Sequence, residues 1–310
     1  MDRRAWLTTL ALAAIWGASY MFIKIGLRDL SPALVAWVRV ALGAAVLLAL
    51  AARLGVLRGF RSRVGTIALV AAVQVAGPFL LIALGEEEIS SGLAGILVAA
   101  APLFTALLAV WVDHEERSHG LRLGGVLLGL VGVAVLLGGD LSGSSAALLG
   151  GLAVVLAALG YAIGGFVVKH RFTGAAPTGL AAWVMVASTV LLLPAGGLTL
   201  PSEAPGVGPL LAVAALGVLG TGVAFALFYD LIGRVGPAKS FVVTYLAPGF
   251  AVVYGAVLLD EGITVATVAG LVLIVGGSWL AAEGQLPGRR APTPALTPGT
   301  EPALGDQPAR

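Results

Sequence analysis

The chain has 310 residues, of which 59% are hydrophobic and 11% charged; soluble proteins carry about 25% charged residues, so this is a polytopic membrane protein. Its formal charge of +2 is not gathered into a basic face, which excludes a nucleic-acid partner. With no cysteine there is no disulfide, thiolate nucleophile or Cys-ligated metal, and the three histidines, His114, His119 and His170, fall in or beside loops, so neither a metal nor another cofactor is expected.

Ten apolar stretches can each cross ~30 Å of hydrocarbon: residues 5–25, 32–52, 64–85, 90–112, 121–139, 146–168, 177–197, 207–229, 240–259 and 263–283. Backbone polar groups inside lipid must be satisfied locally, so all ten are read as helices. The first follows Arg3-Arg4 and could pass for a signal peptide, but its apolar run continues past the small residues at Ala11-Leu12-Ala13 and is expected to stay. It carries Trp16 and Tyr20 four residues apart and Lys24 near its far end. In the second, Arg39 lies ~10 Å of helical rise beyond Pro32, deep enough to be a functional suspect that holds or admits an anionic group. Its alternatives are snorkelling to headgroups or a bond to neighbouring carbonyls. Gln74 is the one amide in the middle of a span, in the third, and suits a neutral or zwitterionic solute or an interhelical hydrogen bond.

The Glu86-Glu87-Glu88 run is assigned to the following loop. In the fourth span, Pro102 removes a helical hydrogen bond and frees a carbonyl one turn back. Gly125 and Gly129, with Gly132 nearby, form a packing step in the fifth. Tyr161 lies in the sixth. The eighth presents Thr221, Phe225, Phe228 and Tyr229 at helical spacing, read as pocket or as packing. The ninth holds Thr244, Tyr245 and Pro248.

The second half repeats the first. Pro102-Leu103-Phe104 is matched by Pro248-Gly249-Phe250, Glu115 by Glu261, Phe79 by Phe225, and Ala36-Trp37-Val38 by Ala182-Trp183-Val184, all 146 residues apart. Trp16 and Lys24 return one residue out of step as Tyr161 and Lys169. Five spans per half is odd, so the second copy is inverted. The expected architecture is an all-α integral membrane protein of ten transmembrane helices in two inverted five-helix repeats, residues 1–145 and 146–283. Residues 284–310, with six prolines, are expected to be a disordered cytoplasmic tail. Matched helix interruptions in two repeats point to a central transport site, here Pro102 and Pro248. Glu115 and Glu261 are read as favouring the dipole of the helix that follows each.

Lysine and arginine orient the chain. With the N-terminus inside, 15 of the 18 basic residues collect on the cytoplasmic side, Lys24 and Arg28 fall outside, and Arg39 is within a span. Both termini are thus expected in the cytoplasm.

Trp16-Gly17-Ala18-Ser19-Tyr20 with Lys24, Pro32 and Arg39, then Pro102-Leu103-Phe104 before Glu115 and Pro248 before Glu261, resemble the EamA-type transporters of the drug/metabolite transporter superfamily. The resemblance covers residues 5–283. It implies ten helices in inverted repeats and export of a small metabolite, often an amino acid, across the bacterial inner membrane. Asp113-His114 before Glu115 departs from the small residue more usual there. The expected partners are a small-molecule solute and the lipid bilayer. The solute pathway is placed at Trp16, Tyr20, Arg39, Gln74, Tyr161, Thr221, Phe225 and Tyr245. A scaffold or accessory subunit is the first alternative. An intramembrane aspartyl protease is the second, opposed by the placing of Asp230 near one membrane face and Asp140 in a loop on the other. No acidic residue reads as lying at mid-membrane, so transport independent of a buried carboxylate is expected.

Overall fold

The computed structural model describes residues 1–112, 121–139, 141 and 143–283. His114, Glu115, His119, Asp140 and the 284–310 tail lie outside the described residues. Among those described there is no strand, and the spans are α1 (Arg3–Gly26), α2 (Pro32–Arg53), α3 (Arg61–Glu88), α4 (two helices, Ser91–Val98 and Ala101–Val112), α5 (Leu121–Gly139), α6 (Ser145–Arg171), α7 (Pro177–Gly197), α8 (Val207–Val235), α9 (Val242–Leu258) and α10 (Val265–Glu283). The chain forms ten membrane-spanning helices in two inverted repeats of five.

Local chemistry sets the ends. Asp2 accepts the Ala5 N–H to cap α1, and Ser31 accepts the Leu34 N–H ahead of Pro32 in the first turn of α2. Pro102 stops the fourth span from being one helix: Leu103 N–H bonds back to Ala100 O at 2.9 Å, and the released Ala99 carbonyl accepts Ser278 Oγ of α10 at 2.8 Å. Pro248 differs, because it lies within an unbroken α9. A matched interruption does occur elsewhere. Ala71–Ala76 of α3 and Val218–Val223 of α8 are both π-helical, 147 residues apart.

Most packing runs between repeats. α5 lies along α10, where a Cβ on Gly277 would come within 2.6 Å of Gly129 Cα, so the Gly125/Gly129/Gly132 step lets the two backbones touch. α2 lies along α7, tied by the matched tryptophans: Trp37 Nε1 donates to Thr189 O at 3.1 Å and Trp183 Nε1 to Leu57 O at 3.0 Å. α1 packs on α9, and α3 on α6. One end of the bundle carries both described chain ends, and the other carries Lys24.

The third span corrects the sequence reading. It continues to Glu88, so Glu86 is inside the helix and fully buried instead of in a loop, while Glu87 and Glu88 are exposed.

Candidate functional site

In a π turn the backbone bonds five residues back, which adds a residue to the turn and disturbs the usual ladder. In α8 this lets Thr221 Oγ1 donate to Leu216 O at 3.1 Å, five residues upstream. The same oxygen accepts Arg39 Nε of α2 at 3.0 Å. Arg39 is 7% exposed, and its Cζ lies 3.6 Å from the centroid of the Phe79 ring of α3, so the buried cation rests on a hydrogen bond from one repeat and an aromatic face from the other. Tyr20, Tyr161 and Glu86 are within electrostatic reach of the guanidinium. Among the described residues, Arg39 is buried and bonds a hydroxyl of the other repeat instead of a carbonyl.

Gln74 occupies the same place in the first repeat's π segment as Thr221 in the second, 147 residues earlier. Its side chain lies on bare backbone of α6, where a Cβ on Gly164 would be 2.8 Å from Gln74 Cγ. Half-buried, its amide makes no hydrogen bond among the described residues. Trp16 meets Phe225 edge-on at 6.0 Å and Phe228 at 5.1 Å. Tyr245 meets Trp279 of α10 with the rings tilted and their centroids 5.5 Å apart. The predicted pathway residues thus form an Arg39–Thr221 pair with Tyr20 and Tyr161 in electrostatic reach, an aromatic patch around Trp16 and Phe225, and a Tyr245–Trp279 pair.

At the Lys24 end, the Lys24 ammonium donates to Glu86 O at 2.5 Å and Ile89 O at 2.9 Å, neutralising the negative end of α3. Glu261 accepts Ser91 N–H at 2.7 Å, Gly92 N–H at 3.0 Å and Ser91 Oγ at 2.9 Å. It caps the first helix of α4, in the opposite repeat, and not the start of α10 as the sequence suggested. A carboxylate at a helix N-terminus is favoured wherever it comes from, and inversion brings this one from across the interface. Asp230 pairs with Arg234 one turn on, at an exposed helix end. No group of three metal-ligating side chains occurs among the described residues.

The sequence profile of the EamA-like transporter family matches residues 3–138 and again 148–282. The chain belongs to the EamA-like transporter family. This EamA-like protein is 26% identical over 294 residues to a probable amino-acid metabolite efflux pump of Escherichia coli strain K12, covering 90% of this chain and 95% of that one. It is 29% identical over 309 residues to a probable terminal-alkyne amino-acid exporter of Streptantibioticus cattleyicolor, covering 96% and 99%. A crystal structure that is 23% identical superposes with a TM-score of 0.65 over 91% of this chain and 97% of that one, which establishes the shared fold. The EamA-like protein is a membrane transporter and not an enzyme. Sequence reasoning missed three of its features: Phe79 under Arg39, the Glu261 cap, and the burial of Glu86. The last had a signal, since Phe79, Ile82, Ala83 and Glu86 fall on one helical face.

Proposed function

We propose that this transporter exports a small zwitterionic metabolite, an amino acid or a close relative, by rocking its repeats about the Arg39–Thr221 centre. The observation that carries the reading is a buried guanidinium held at the repeat interface beside matched π segments, one of which presents the unpaired Gln74 amide. A cation suits a solute carboxylate, and an amide both donates and accepts. Likeness to two proteins named as amino-acid exporters supports the class of solute. The repeats are taken as residues 1–145 and 146–283, in the cytoplasmic membrane of a bacterium with both termini inside. Arginine and lysine placement supports that orientation. The test is a counterflow screen in proteoliposomes with individual radiolabelled amino acids and, as controls, their decarboxylated amines. Exchange of amino acids but not amines is expected; exchange of amines alone removes Arg39 as the carboxylate partner.

A further inference from the structure

Glu86 is the buried ionisable group that the solute site does not use. Its side chain is completely buried, and neither carboxyl oxygen has a hydrogen-bond partner among the described residues. A bare carboxylate so placed has lost its water and has no hydrogen bond in return. The charged groups around it are already engaged. From α1, the Lys24 ammonium is spent on the Glu86 and Ile89 main-chain carbonyls, and Tyr20 lies on the same helix. Arg39 of α2 is bonded to Thr221 and laid on Phe79. Tyr161 of α6 faces Arg39, and the first helix of α4 carries no ionisable side chain. Glu261, which follows α9, is a second carboxylate committed to Ser91 and Gly92, and its charge opposes a charge on Glu86.

We infer that Glu86 is a proton-binding site: it takes up a proton from the Lys24 side as the repeats close there and holds it until the other end opens and solute enters, coupling solute movement to proton movement in the opposite direction. The fit of the ligand follows from packing. Around Glu86, Gly85 lies against Val154 and the Gly150 backbone, and Ile82 and Ala83 are buried beside it. A proton is the ligand that such a place admits without a cavity. The closure that dries the site is made by the two repeats together. Glu261 of the second caps α4 of the first, and Gly95 of α4 meets Ala251 of α9 so closely that a Cβ there would be 2.5 Å from the Ala251 methyl. Parting these contacts brings water to the carboxyl. The inference stands against the expectation that transport proceeds without a buried carboxylate. It rests on the export reading for the direction of solute flow, and on the geometry of Glu86 alone for the proton.

Two measurements separate those dependencies. Infrared difference spectra of the purified parent and Glu86→Gln proteins in lipid at neutral pH are expected to show a carboxylic-acid carbonyl band in the parent that the variant lacks. Absence of such a band in the parent overturns the proposal even if the variant does not fold. In proteoliposomes with a mixture of radiolabelled neutral L-amino acids, an imposed proton gradient should drive concentrative movement by the parent. Glu86→Gln should lose that accumulation at least tenfold while counterflow, which needs no proton gradient, continues. Equal gradient-driven accumulation by both proteins overturns the coupling. Absence of any counterflow by the parent overturns the amino-acid reading instead, and leaves Glu86 to be decided by its spectrum.

Discussion

Arg39 and Thr221 form a contact that neither helix could make alone, because the π turn at Val218–Val223 aims the threonine hydroxyl at the second span. Thr221→Val keeps the methyl that lies against Gly43 but strips the oxygen that Arg39 Nε needs. A buried donor left without its acceptor costs about 1–3 kcal/mol. Thr221→Val should therefore lower the melting temperature in detergent as well as the transport rate. Gln74, its counterpart in the other repeat, has no partner to lose among the described residues, so Gln74→Leu should cut counterflow several-fold with little change in melting temperature. A fall in stability from Gln74→Leu equal to that from Thr221→Val would show the amide to be structural. Arg39 and Gln74 could be picked out in the sequence because each is chemically out of place in an apolar run. Glu86 is easily passed over, since three consecutive glutamates look like a hydrated loop even though Glu86 extends the face of Phe79, Ile82 and Ala83, and the continuation of the helix to Glu88 carries it into the interior.

The helices show which sequence signals survive folding and which depend on a neighbour. The fourth and ninth spans each hold a proline, yet only the fourth breaks, and there Ser278 of α10 bonds the Ala99 carbonyl that Leu103, turned back to Ala100, leaves free. Nothing in the fourth span itself announces that partner, and nothing in the third or eighth announces a π turn. The glycine step in α5 was readable as packing, since small residues four apart admit a second helix whatever its sequence. Gly277 and Gly276 of α10 offer a controlled comparison. A side chain on Gly277 would strike the Gly129 backbone, whereas one on Gly276 meets open space. Gly277→Val should destabilise the protein by about 1–3 kcal/mol through overpacking, seen as a lower unfolding temperature in detergent. Gly276→Ala should be neutral, and comparable losses from both would mean that α5 and α10 do not pack this closely.

At the scale of the molecule, two inverted copies interleave so that each repeat is completed by the other: the matched tryptophans tie α2 and the segment that follows it to α7, and Glu261 caps a helix of the first repeat. The count of five spans per copy made the inversion readable, because spans are long and apolar enough to be counted without knowing their contacts. Orientation in the membrane is a separate matter that helix geometry does not decide, and the argument for it is electrostatic. Basic residues resist transfer across the bilayer, so the face that collects 15 of them against 2 should be cytoplasmic. Arg58, Glu87 and Glu203 are all exposed, the first on the basic face and the other two on the opposite one. Because the chain has no cysteine, a single cysteine at each of these positions reports without background. In intact cells an impermeant maleimide should label position 87 and position 203 but reach position 58 only after the membrane is opened. The opposite pattern would reverse the topology, put both termini outside, and place the Glu86 proton site at the cytoplasmic end of the pathway.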